Sequence, residues 1–119
     1  MVGGAQQPRR SPTPATHVDR PNFHSELRSS ELFEGQPIHL ETKLTPINDP
    51  SLKIEWYFNG NPIKASERLN IVQQSGFVVL QIKEATLADG GYYVCRAINQ
   101  TGTAETNCTI VIHPTNYAL

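Results

Sequence analysis

Asp89-Gly90-Gly91-Tyr92-Tyr93-Val94-Cys95 is the stretch that decides how this 119-residue chain is read. Tyr93, Cys95 and Ala97 alternate with Val94 and Arg96, the period of two of a half-buried β-strand. Before it, residues 86–91 form a polar corner. After it, Asn99-Gln100-Thr101-Gly102 carries the composition of a hairpin turn. Ala104, Thr106, Cys108, Ile110 and Ile112 then make a second inward set. Pro114 stops that strand, because it brings no N–H to a ladder.

Upstream the same rhythm repeats. Ile38, Leu40 and Thr42 point inward, with His39 and Glu41 between them. Residues 46–50, Pro-Ile-Asn-Asp-Pro, read as a loop. Residues 53–58 alternate and run straight into Asn59-Gly60, a strong hairpin signal. Leu69 and Ile71 follow, then a Ser75-Gly76 turn, then Val78, Leu80 and Ile82 as another inward set. No helical stripe is sustained from Phe23 onward. About eight short strands at this spacing predict an all-β sandwich of two stacked antiparallel sheets.

Composition bounds the rest. Apolar residues make up 38% and charged residues 18% of the chain. That suits one small core and excludes a solvated rod. Net charge is −1, so the chain as a whole is no nucleic-acid polyelectrolyte partner. Its longest apolar run, residues 77–80, falls far short of the ~20 residues of a membrane span. Charge is uneven: residues 1–20 carry +2 and residues 21–119 carry −3. Residues 1–20 have three prolines and lack the apolar run of a signal peptide. They read as a disordered Pro/Ser/Thr-rich tail or linker, with the folded domain over 21–114 and a short tail over 115–119.

Asp-x-Gly-x-Tyr-x-Cys at 89–95, with the single Trp56 upstream, resembles the immunoglobulin fold. Residues 21–23 resemble the first strand of intermediate-set (I-set) domains. Glu34-Gly35 resembles their turn into the second strand, and Asn99-x-x-Gly102 their last hairpin. The resemblance covers 21–113 and implies an I-set immunoglobulin-like sandwich. Trp56 then fills the space between the sheets. Tyr93 packs inward and returns its hydroxyl to backbone near Leu87 or Asp89. Gly91 allows close backbone approach at that corner, and Arg68 pairs with Asp89 across the bottom of the sandwich.

One position departs from the family. Counted from Glu34-Gly35, the cysteine of the second strand falls at 42, where this chain has Thr42. The inter-sheet disulfide, worth roughly 4 kcal/mol in the chain-entropy estimate, cannot form. A module without it suits a reducing compartment, which implies a cytoplasmic location. Cys108 shares the inward parity of Ile110 and stands nearly opposite Cys95 on the neighbouring strand. Two buried reduced thiols are favoured over a cross-strand bridge. The inward set expected to build the core is Leu40, Thr42, Trp56, Leu80, Ile82, Tyr93, Cys95, Cys108 and Ile110.

The segments 25–36 and 44–60 look like immunoglobulin modules of the giant muscle proteins, the kettin, titin and twitchin group. That resemblance implies a sarcomeric or cytoskeletal scaffolding module in a tandem array, monomeric when isolated. Its implied partners are proteins: actin, other thin-filament or Z-disc proteins, and neighbouring modules. The last strand is expected to pair with a stretch near residues 29–32, a shear arrangement that resists pulling. An extracellular adhesion or receptor domain is the competing reading, and a calcium-sensor target ranks third.

No catalytic constellation emerges, so no enzyme and no cofactor are expected. His17, His24, His39 and His113 are scattered and lack metal-ligand spacing. There is no nucleophile elbow and no phosphate-binding glycine loop. Asn99-Gln100-Thr101 and Asn107-Cys108-Thr109 match the glycosylation pattern. Asn99 is read instead as a turn residue that tolerates unusual backbone angles. In the tail, Arg9 and Arg10 precede Ser11 and Thr13, each followed by proline. These are a candidate basic contact and candidate phosphorylation sites, set against a plain solvated linker.

Overall fold

A computed structural model describes residues 18–115. They contain nine strands in two sheets. The strands are β1 (Asn22–Ser25), β2 (Ser30–Phe33), β3 (Ile38–Thr45), β4 (Lys53–Phe58), β5 (Asn61–Ile63), β6 (Leu69–Gln74), β7 (Phe77–Ile82), β8 (Gly91–Ile98) and β9 (Thr103–His113). One sheet has the order β1-β3-β7-β6 and the other β2-β9-β8-β4-β5. The count exceeds the eight read from periodicity. The N-terminal stretch splits, with β1 on one sheet and β2 on the other. No helix among the described residues is long and apolar enough to cross a membrane.

Alternation dictates the layers. β3 is buried at Ile38, Leu40, Thr42 and Leu44 and exposed at every residue between them. β7 buries Val78, Leu80 and Ile82. Tyr93, Cys95 and Ala97 on β8 and Thr106, Cys108 and Ile110 on β9 face them from the other sheet. Trp56 is buried in the same core.

Turn chemistry sets the register. Asn59 (φ 50°) and Gly60 (φ 86°) make a two-residue hairpin, as do Ser75 (φ 52°) and Gly76 (φ 86°). Both have positive φ at the two central positions, whose twist matches that of the flanking strands. The Thr45–Pro46 peptide is cis. All pairings are antiparallel except one: β2 runs parallel to β9, from Ser30↔Ile110 to Phe33↔His113.

Candidate functional site

The corner between β7 and β8 is a densely bonded polar site. Thr86 precedes a single 3₁₀ turn, Leu87–Asp89. Asp89 accepts from the Thr86 backbone N–H at 2.7 Å and from its hydroxyl at 3.1 Å. Arg68 reaches in from the loop before β6 and grips the carboxylate with both Nη atoms, at 3.1 and 2.7 Å. Its Nη2 also donates to the Glu84 carbonyl at 3.1 Å. Burial raises the carboxyl's affinity for its proton, but Arg68 and Thr86 outweigh it and hold Asp89 below the ordinary value. The Tyr93 hydroxyl donates to the Asp89 carbonyl at 2.7 Å, and burial pushes that hydroxyl well above the usual tyrosine range.

Gly91 completes the corner. A Cβ there would lie 2.6 Å from Asn59 Oδ1 and 2.8 Å from a Phe58 ring carbon. The Asn59 side chain needs that space, because its Oδ1 accepts from the Tyr92 N–H at 2.9 Å.

Thr42 and Cys95 are both fully buried. The Thr42 hydroxyl donates to the Ser25 carbonyl, so it binds β1 to β3. Both cysteines are free thiols. They are not opposite each other: Cys95 faces Thr106, and Cys108 faces Tyr93. The turn at 99–102 places the partner two residues away from the expected register, so the thiols are diagonal neighbours. Burial pushes Cys95 up to about 12 and Cys108 up to about 11.

Asn99 also needs correction. Its backbone is not in the left-handed region among the described residues. Its side chain makes the turn instead. Oδ1 accepts from Thr101 N–H and Gly102 N–H, at 2.8 and 3.1 Å. Nδ2 donates to the Asp19 carbonyl and to Asp49 Oδ2, at 2.6 and 3.0 Å. The Thr101 hydroxyl donates to the Val18 carbonyl at 2.7 Å. No local pattern marks this seam, because its partners lie 50 to 83 residues apart. Asn107, by contrast, is exposed.

The histidines serve the surface. His24 bonds Thr45, His39 bonds Glu41 and Gln81, and His113 bonds Glu31. Among the described residues no group of three or more His, Cys, Asp or Glu can hold a metal ion. His17, Arg9, Arg10, Ser11 and Thr13 lie outside the described residues.

The sequence model of the immunoglobulin I-set domain matches residues 21–112. The chain belongs to the immunoglobulin I-set family. This I-set module is 45% identical over 94 residues to titin of Drosophila melanogaster, covering 79% of the chain. The matched share of that titin rounds to 0%. It is 35% identical over 92 residues to smooth-muscle myosin light chain kinase of Gallus gallus, covering 77% of the chain and 5% of the kinase. Among solved structures it resembles the titin domains Z1Z2 in complex with telethonin, with a TM-score of 0.75 and 28% identity. That match covers 81% of this chain and 48% of the other. The I-set module therefore spans no more than 5% of these two curated relatives. Its relatives are muscle and cytoskeletal proteins.

Proposed function

We propose that this chain is a non-enzymatic, load-bearing and protein-binding module of an intracellular sarcomeric or cytoskeletal scaffold, one of several in tandem. The observation that carries this reading is the parallel β2–β9 pairing. Pulling the N-terminal side of β2 against the C-terminal side of β9 loads that ladder lengthwise. Its hydrogen bonds then bear force together instead of opening one at a time. Two free, buried thiols fit a reducing compartment. Similarity to titin supports a tandem, muscle-type setting.

Single-molecule stretching tests the load-bearing role. Neighbouring residues of a parallel edge strand alternate in which one bonds its partner. Prolines placed singly at 31 and 32 should therefore differ, one removing a ladder donor and lowering the unfolding force more than the other. Unfolding of the unaltered chain at negligible force would overturn the reading. Actin, or another thin-filament or Z-disc protein, is the partner proposed from the family resemblance. Cosedimentation with filamentous actin over a salt series tests it, with binding weakening as salt rises. Absence of binding at low salt removes actin and leaves the mechanical role standing.

A further inference from the structure

The outer face of the five-stranded sheet carries a groove that none of the preceding roles uses. It has a volume of about 280 Å³ and is lined by Tyr57, Tyr92, Val94, Arg96 and Glu105. Register explains its shape. Tyr57 pairs with Val94, while Arg96 sits in one cross-strand row between Glu55 and Glu105. Tyr92 is one step further along β8 on the same face, so the two tyrosines are diagonal neighbours flanking Val94. Tyr92 is 44% exposed.

The polar edge is incompletely matched. Arg96 Nε is buried without a hydrogen-bond partner, and its nearest carboxylate oxygen, on Glu105, lies 3.6 Å away. The Glu105 side chain is 53% exposed. Glu55 takes the Tyr57 hydroxyl at 2.7 Å. Two tyrosine rings beside two carboxylates suit a segment rich in proline and arginine. Proline rings pack on aromatic faces, and guanidinium groups pair with carboxylates and stack on tyrosine.

The chain contains such a segment: Pro8-Arg9-Arg10-Ser11-Pro12-Thr13-Pro14. We propose that it docks in this groove. Its tether starts beside the groove, because the Val18 carbonyl is held by Thr101 at the turn joining β8 and β9, next to the Arg96–Glu105 row. At ~3.1 Å per residue, the four to ten residues that separate positions 14 and 8 from Val18 allow a reach of up to about 12–31 Å. Along β8, the stretch from Ile98 back to Tyr92 covers about 20 Å at a strand's rise per residue. Reach and groove therefore overlap. The charges also oppose: Glu55, Glu105 and Arg96 sum to −1 at the groove, against +2 from Arg9 and Arg10.

The test uses the full chain, labelled with ¹⁵N. The double substitution Arg9→Glu and Arg10→Glu should move the amide resonances of Tyr57, Tyr92, Val94, Arg96 and Glu105. They should move several-fold more than resonances of the opposite sheet. Glu105→Lys, at an exposed position, should reciprocally move the resonances of residues 8–14. A synthetic peptide of residues 5–15, added to the double variant at millimolar concentration, should return the groove resonances towards their original positions. Groove resonances that superimpose between the unaltered chain and the double variant would overturn the proposal. So would shifts centred on another face, or an unresponsive groove on adding peptide. Groove shifts that track protein concentration in the double variant would assign the face to a second copy of the chain, and would also overturn it.

Discussion

Thr42 stands where the inter-sheet bridge would begin, yet its hydroxyl bonds within its own sheet and leaves the two sheets joined by packing alone at this point. It is fully buried, and its hydroxyl ties β3 to the Ser25 carbonyl of β1. Thr42→Cys should cut both ways. With reductant present, loss of that bond should lower stability by about 1 kcal/mol. After oxidation, a bridge to Cys95 should raise it by roughly 2–4 kcal/mol. Urea midpoints with and without reductant measure both, and mass spectrometry after alkylation reports the cross-link. A variant that never cross-links would show that position 42 does not face Cys95. Tyr93→Phe should cost about 1–2 kcal/mol, because it leaves the Asp89 carbonyl without its buried donor. Matched urea denaturation of the variant and the unaltered chain checks this. Tyr93 was legible because the motif of fixed spacing at 89–95 contains it, whereas Trp56 and Arg68 were placed by resemblance to the family. The second Nη2 contact, to the Glu84 carbonyl, was not, since backbone acceptors leave no trace in composition.

At the scale of elements, alternation carried most of the information. β3, β7, β8 and β9 each show a clean inward and outward pattern, and a period of two is hard to mistake when one face is buried. The stretch before β3 was less legible. β1 and β2 have four residues each and mostly exposed side chains, so alternation alone does not reveal the switch between sheets; the pairing of the last strand with a stretch near 29–32 came from the family resemblance, and β2 pairs with β9 there. The relative offset of β8 and β9 was also hidden, because a turn's composition does not fix how many residues it consumes. The Ser75-Gly76 turn offers a sharp test. Ser75 has φ 52°, a conformation that costs a non-glycine residue about 1 kcal/mol. Ser75→Gly should therefore be neutral to stabilising by up to about 1 kcal/mol. Gly76→Ala should destabilise by about 2 kcal/mol or more. A Cβ at Gly76 meets Ile47 Cγ2 at 2.7 Å and the Leu44 carbonyl at 3.1 Å, and the backbone carbonyl cannot step aside. Melting temperatures of the two variants should move in opposite directions, or only that of Gly76→Ala should move.

For the whole molecule, the two thiols report on the integrity of one core. Cys95 and Cys108 belong to the cluster that also holds Trp56, Leu80 and Ile110. Burial raises their pKa values from an ordinary 9.0 to about 12 and about 11. In the unfolded chain both would ionise near the ordinary value. Protons are therefore held more tightly in the folded state, and the sign of the linkage follows. Stability from this source is fully present below about pH 8.5 and is lost as pH rises through the folded values. Urea midpoints should be level from pH 6 to 8 and fall steadily above about pH 9. Replacing both cysteines by alanine should flatten the limb between about pH 9 and 10, with Tyr93, also raised by burial, still lowering stability above that, at the cost of a lower plateau from the lost packing. The same burial makes the thiols a clock. The thiolate is the reactive form, and native Cys95 and Cys108 supply almost none at pH 7.5. Maleimide should label neither on mixing with the folded chain. It should then label both with one rate constant, equal to that of global unfolding measured by Trp56 fluorescence at saturating reagent. Faster labelling of Cys108 alone would mean that β9 detaches before the core opens. Because β9 is also the strand paired to β2, that result would place the weakest point of the sandwich on the ladder proposed to carry load.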